Sequence, residues 1–407
     1  LKAGLAKRAK PSEKALPVVS ATRLDTNLPT IGKVMRQAGY ATGHFGKWHM
    51  GGQRDVSDAP HITAYGFDAS LTNFEGMGPK LLPLTLKPGQ DPKTPGRIWG
   101  DAERLGKGVR WMQRSKITEG FVDEAIPFMK KAAEAKKPFY VNLWPDDVHS
   151  PFWPPVDKWG NGKRELYLSV LREMDRQFGK LFDFVRDDEA LRKNTLVLIC
   201  SDNGPEQGAG VAGPFRGYKT HLYEGGVRSS LIAWGPGLIP SNNNESTGKV
   251  NEKSVFSAVD LVPTLLELAD VPHPEGVKYD GESLPDVLLG KSDASRKQPL
   301  LFRRPPDRDA YYGDNDLPDL AIREGKWKFL CEYDGSEVEL FDMEADRGET
   351  KNLAAKHPER VKDMAAKWFD IAKNTERLKG RHLNPVKDTL KELNFRKDTS
   401  GQLKSSK

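Results

Sequence analysis

Gly39-Tyr40-Ala41-Thr42-Gly43-His44-Phe45-Gly46-Lys47-Trp48-His49-Met50-Gly51 joins the end of a helix to a short strand and a polar strand end, the unit from which an α/β fold is built. Upstream, Leu28 to Tyr40 has the apolar spacing of a modestly amphipathic helix, stopped at Gly39. Ala41 to Phe45 is short, small and apolar, as a strand would be, and it delivers Gly46-Lys47-Trp48-His49 at its carboxyl end. The same alternation continues downstream. A helix from Thr118 to Ala135 precedes the apolar run Pro138 to Trp144, and Leu171, Met174, Phe178, Leu181, Phe182 and Val185 recur at helical spacing before Thr195 to Cys200. The last run reads as a strand buried on both faces; Ser230 to Trp234 is a further strand and Val259 to Ala269 a further helix. Helices alternating with buried strands predict an α/β fold, a large mixed but mainly parallel sheet flanked by helices.

The pattern changes near residue 297. Ala321 to Tyr333 and Glu337 to Met343 read as antiparallel strands around Asp334-Gly335, followed by a helix from Pro358 to Lys373. The predicted organisation is a large domain over 1–296, a smaller C-terminal α+β subdomain with a short antiparallel sheet over 297–375, and a basic tail over 376–407. The stretch 51–115, rich in Gly, Pro and charge, reads as long loops.

With 407 residues, 37% hydrophobic and 29% charged, the chain has the composition of a globular protein. Its net charge of +6 is terminal: residues 1–23 and 376–407 carry +5 each, leaving 24–375 at −4. Solvated tails explain this better than a nucleic-acid groove. No apolar run approaches the ~18 residues of a membrane-spanning helix. Cys200 and Cys331, both in apolar runs, read as small buried hydrophobes rather than a disulfide framework or zinc site.

Four segments carry groups suited to chemistry. Lys47 and His49, two apart at a strand end, would place a fixed cation beside a proton-transferring imidazole. Spacing alone does not separate them from a surface lysine and a hydrogen-bonded loop histidine, the commoner case. Asp202 and Asn203 follow a strand's carboxyl end, where open α/β sheets bind ligands, and their oxygens suit a hard cation; Asp-Asn-Gly is equally a common turn. His149 stands in Asp146-Asp147-Val148-His149-Ser150-Pro151, in a loop restrained by prolines. Asp146 and Asp147 read as loop polar groups. Lys219 lies in Phe215 to Arg228, where Glu224 and Arg228 would brace the backbone and His221 faces the substrate or solvent.

The first segment matches G-Y-x-T-x-x-x-G-K-W-H-x-G at every fixed position. That pattern resembles the sulfatases of the alkaline-phosphatase superfamily. Gly217 to Arg228 is similar to their G-x-K…E-G-G-x-R arrangement, Asp260 to Leu265 to their D-[LI]-x-P-T-[LI] helix, and Glu339 to Ala354 to their C-terminal strand-turn segment. The likeness runs from about residue 28 to 373. It implies that Lys47 contacts the sulfate and the nucleophile, and that His49 hydrogen-bonds the nucleophile. It further implies that His149 contacts the sulfate and protonates the leaving oxygen, that Lys219 binds the sulfate near the leaving group, and that Asp202 and Asn203 supply part of a calcium site, magnesium being the alternative.

The resemblance also implies a formylglycine nucleophile made from a C/S-x-P-x-R motif, and an earlier Asp-Asp pair. Neither is in this chain; Ser20-Ala21-Thr22-Arg23 lacks the proline and lies too near Lys47. The expectation is therefore a piece of a longer protein, periplasmic or extracellular, matured by a formylglycine-generating or anaerobic sulfatase-maturing enzyme. A missing first strand would leave the sheet incomplete and apolar surface exposed. The substrate expected is a sulfate-ester small molecule or a sulfated glycan. Two rivals stand beside it: a phosphomonoester or phosphonate hydrolase of the same superfamily, and a non-catalytic sulfoglycan-binding relative.

Overall fold

The computed structural model describes residues 23–51, 59–105, 108–239, 248, 250–304, 317–332 and 335–374. The basic tail, Ser20 to Thr22 and Asp334 lie outside the described residues. In chain order the elements are α1 (Ile31–Gln37), β1 (Ala41–Gly46), β2 (Ala69–Thr72), β3 (Lys80–Thr85), β4 (Gly96–Arg97), β5 (Val109–Gln113), α2 (Ile117–Glu134), β6 (Phe139–Trp144), α3 (Lys163–Asp187), α4 (Glu189–Asn194), β7 (Val197–Cys200), α5 (Glu224–Val227) and β8 (Leu231–Trp234). Then come α6 (Ala258–Leu268), α7 (Pro285–Leu288), β9 (Leu300–Arg303), β10 (Leu320–Glu324), β11 (Trp327–Cys331), β12 (Glu339–Asp342) and α8 (Pro358–Asn374).

The principal sheet runs β4-β3-β2-β1-β6, with β5 also on β3, and every pairing but β3–β4 is parallel. Helices cover both faces. α2 presents Ile117, Phe121, Val122, Ala125 and Met129, one helical stripe, to Phe45, Leu71 and Leu81 of the strands, and Leu181 of α3 joins the same core. On the other face Val34 and Met35 of α1 meet Leu266 of α6 and Tyr140 of β6. Each such large side chain removed from water contributes about 1.5–3 kcal/mol.

β9 to β12 form a separate antiparallel sheet, ordered β12-β11-β10-β9. Leu320, Ile322, Phe329 and Leu340 alternate onto the face covered by Val361, Met364 and Trp368 of α8.

The structure corrects several expectations. The stretch 51–115 contributes four strands, β2 to β5; each is short or interrupted by Gly or Pro, so no long alternation announces it. Thr30 caps the first helix by accepting from the Lys33 N–H, so the helix starts at Ile31 rather than Leu28. Ala321 to Tyr333 is not one strand but the β10–β11 hairpin, turning at Gly325 with φ 54°. Most consequentially, β7 is not buried within the main sheet. Among the described residues it pairs with β8 alone, antiparallel. Ile199 is 38% exposed, Ile232 53% and Trp144 45%, and Cys200 is exposed too, although Cys331 is buried. Among the described residues no strand pairs with the outer edge of β6 or of β7.

Candidate functional site

The carboxyl end of β1 sets the first group. Lys47 N–H donates to the Trp144 carbonyl at 2.8 Å, extending the β1–β6 pairing by one step. Gly46, at φ 124°, permits that approach, because a Cβ there would lie 2.2 Å from the Trp144 oxygen. Beneath it, His44 is fully buried, which pushes its imidazole down to about 3 and keeps it neutral. Its Nδ1 faces the Asn142 amide at 3.5 Å, so its Nε2–H donates to the Lys47 carbonyl at 3.1 Å and fixes that backbone. Lys47 Nζ and the His49 ring both pack on Phe74, at 5.6 and 4.8 Å from its centroid, with His49 at φ 51°. Phe74 is the surface that unites them; they do not simply alternate off a strand.

The turn after β6 supplies the second group. His149 N–H donates to the Asp146 carbonyl at 2.9 Å, its Nδ1–H donates to the Ser150 carbonyl at 2.7 Å, and its Nε2 accepts from Lys219 Nζ at 3.2 Å. Partial burial holds the His149 imidazole below its ordinary value; the Ser150 carbonyl opposes this, while the Lys219 and Lys47 charges add to it. Lys219 is lowered as well, first by burial and then by Lys47, with Asp202 acting against both. Lys47, His149, Lys219 and Asp202 therefore occupy one electrostatic neighbourhood at converging strand ends. His49 joins it through Phe74.

Asp202 and Asn203 sit on the loop after β7, where Ser201 Oγ donates to the Asn203 carbonyl and the Asn203 amide donates to the Asp202 carboxylate. The donor chemistry fits a hard cation, but two side chains fall short of the six to eight oxygens calcium takes. Among the described residues no three His, Cys, Asp or Glu side chains gather as a metal cluster. The pair fits as part of a site.

Asp146 and Asp147 lie in the loop after β6, as polar groups with structural partners. Both are buried, at 6% and 3% exposure. Asp146 accepts from Arg114 Nη1 and the Asn73 amide at 2.5 Å each, and Arg114 Nη2 donates to the Asp146 carbonyl, the same carbonyl that holds His149. Asp147 accepts from the Thr118 hydroxyl at 2.7 Å. Burial pushes its carboxyl up to about 6, against the pull of Arg114. His221 is likewise buried, at 8%, packed on Tyr218 and Tyr223 rather than facing substrate or solvent. The buried Arg114–Asp146 pair escapes sequence reading because its partners are 32 residues apart; the Asp-Asp run before His149 was its only local sign.

Known proteins resemble this chain in sequence and in fold. The sulfatase family model matches residues 7–271. Arylsulfatase G of Mus musculus is 30% identical over 324 residues, covering 73% of this chain and 59% of that protein, so the chain spans under two thirds of that relative's length. An N-acetylgalactosamine-6-O-sulfatase of Bacteroides thetaiotaomicron is 25% identical over 84% of this chain and 76% of its own length. Among solved structures, Ps i-CgsB in complex with k-i-k-neocarrahexaose superposes with a TM-score of 0.69 at 25% identity, over 88% of this chain and 77% of that one. The mainly parallel sheet with its C-terminal antiparallel sheet is that alkaline-phosphatase-like architecture. A family match over most of its length, on a fold whose strand ends gather the motif lysines and histidine, establishes that this chain belongs to the sulfatase family.

Proposed function

We propose that the complete protein hydrolyses sulfate esters, and that the described residues form the sulfate-binding side of its pocket. The observation that carries this reading is the Lys219–His149 contact at 3.2 Å with the Lys47 charge acting on both. Two cations flanking an imidazole suit a tetrahedral oxyanion whose charge moves onto a leaving oxygen. Lys47 and Lys219 bind the sulfate oxygens. The bound sulfate offsets the Lys47 and Lys219 charges and so favours imidazolium, and His149, protonated at Nε2 in that complex, gives this proton to the leaving oxygen. His49 orients the nucleophile. The nucleophile is a formylglycine hydroxyl, supplied by a part of the protein outside this chain. Asp202 and Asn203 hold a divalent cation, calcium before magnesium, which adds positive charge at the sulfate. The edges of β6 and β7, unpaired among the described residues, are where a further strand would complete the sheet.

Sulfated carbohydrate is the substrate class this reading favours. Relatives include proteins named N-acetylgalactosamine-6-sulfatase, and one structural neighbour is in complex with k-i-k-neocarrahexaose. Export to the periplasm or outside the cell, and maturation by a formylglycine-forming enzyme, belong to the same proposal. Among the described residues no helix is long and apolar enough to cross a membrane.

Titration of this chain with sodium sulfate, followed by calorimetry and by the His149 imidazole resonance, tests the pocket. Saturable binding is expected, weakened at least tenfold or so by Lys219→Ala, the scale of one charged hydrogen bond. No binding, or binding indifferent to Lys47→Ala and Lys219→Ala, would overturn the reading.

A further inference from the structure

The loop that carries Lys219 has two feet, and the C-terminal sheet holds both. At the first foot, Arg216 Nη1 donates to Glu339 Oε1 of β12 at 3.0 Å, and the Arg216 guanidinium stacks over Tyr223, 3.8 Å from its centroid. At the second, Tyr223 OH donates to Glu339 Oε2 at 2.6 Å, so one carboxylate, fully buried, ties Arg216 to Tyr223. Immediately beyond, Glu224 N–H donates to Glu349 Oε2 at 2.6 Å. Lys328 of β11, with no exposed side chain, lies 3.0 Å from Glu224 Oε1 and 2.8 Å from Glu349 Oε1. Leu222 and Tyr223 add apolar contact with Leu330 and Phe341 of the same sheet.

The second foot also reaches the Asp202 loop. Gly225 N–H donates to the Arg216 carbonyl at 2.7 Å, closing the loop on itself, and Gly204 N–H donates to the Gly226 carbonyl at 2.8 Å. Lys219 N–H donates to the Pro205 carbonyl at 2.9 Å. These backbones touch: a Cβ on Gly204 would lie 1.8 Å from the Gly225 oxygen. A displacement of Glu224 is thus passed to Lys219 on one side and to Asn203-Gly204 on the other.

Two buried carboxylates around one buried ammonium are costly to desolvate, and a buried ionic cluster is weak evidence of stability for its own sake. Burial and the Glu224 charge raise the Glu349 carboxyl above its ordinary value despite Lys328. Apolar packing would join this loop to the sheet more cheaply; directional bonds fix where it sits. Resting on the site reading above, we infer that Lys328, Glu339 and Glu349 are positioning residues. They clamp both feet of the Lys219 loop and, through Gly226, set Lys219 against His149 and the Asp202-Asn203 pair. The C-terminal sheet is in this account a working part of the anion site.

The test compares Lys328→Met, the milder Glu349→Gln, which keeps an acceptor for the Glu224 N–H, and a control, Val361→Ala, which lowers stability from the opposite face of the same sheet. Amide hydrogen exchange and sulfate titration are read on each. The clamp predicts loss of protection at Gly204, Lys219 and Gly226 in Lys328→Met, a smaller loss in Glu349→Gln, and none in the control. It also predicts sulfate affinity reduced about ten- to a hundredfold in Lys328→Met, the usual consequence of misplacing a positioned group by about an ångström. Protection at those three amides unchanged in folded Lys328→Met or Glu349→Gln, or lost equally in the control, would overturn it. The exchange readout needs no sulfate: lost protection in a protein that binds no sulfate would uphold the clamp while sinking the site reading.

Discussion

Asp147→Asn should stabilise the protein, and only above a definite pH. The carboxyl is 3% exposed, sits beside Asp146 and is lifted from 3.8 to about 6 chiefly by burial. A carboxyl raised in the folded state costs nothing below its unfolded value, where both states are protonated. The cost grows as pH climbs through the gap and is complete above the folded value. A gap of about two units corresponds to about 3 kcal/mol. The Asn amide oxygen still accepts from the Thr118 hydroxyl, so that 2.7 Å bond survives. Urea unfolding of both proteins at pH 4 and pH 8 is the assay, with equal slopes required for the comparison. The expected stability difference is about 0.5 kcal/mol at pH 4 and up to about 3 kcal/mol at pH 8, in favour of Asn. A difference that does not change with pH, or a variant less stable at pH 8, would refute the argument that Asp147 is held charged against its burial.

Further outcomes follow from the same geometry. Arg114→Met strands the buried Asp146 carboxylate and should cost about 3–5 kcal/mol at pH 8 by urea unfolding, with Arg114→Met/Asp146→Leu recovering much of it. Gly204→Ala drives a methyl into the Gly225 carbonyl and should destabilise by more than about 2 kcal/mol in the same assay; a neutral effect would contradict the close backbone approach. Lys47→Met removes a cation that disfavours imidazolium, so the His149 titration followed by NMR should move up in pH; a downward or absent shift would place Lys47 elsewhere. Asp202→Asn should lower the Lys219 titration further, since the carboxylate is what supports that ammonium.

Much of the alternation was legible because helix and strand periods differ: α2, α3, β1, β6 and α6 lie close to where their apolar spacing puts them. What was not legible depends on pairing at a distance. β2 to β5 are strands because they hydrogen-bond to one another and to β1, not because two to six residues around Gly and Pro demand it. The run Thr195 to Cys200 has the composition of a doubly buried strand, yet among the described residues it pairs on one edge only, so composition and exposure disagree at Ile199.

For the site, motif residues Lys47, His149, Lys219 and Asp202 were identifiable, and the fold brings their charges together. His44, Arg114 and Lys328 were not. Each is buried and acts through a partner, so nothing local marks it: His44 on the Lys47 carbonyl, Arg114 on Asp146, Lys328 on Glu224 104 residues away. Asp146 and Asp147 were visible as a pair of loop polar groups, but their burial was not, since an acidic dipeptide in a proline-rich loop is ordinarily solvated.

The most direct test of the central claim is the ratio of kcat/KM for the complete, matured protein on the sulfate and phosphate esters of one aryl alcohol. A clear preference for sulfate is expected, abolished together with turnover in Lys219→Ala and His149→Ala. A clear preference for phosphate, or no hydrolysis of either ester by a protein shown to carry formylglycine, would contradict it.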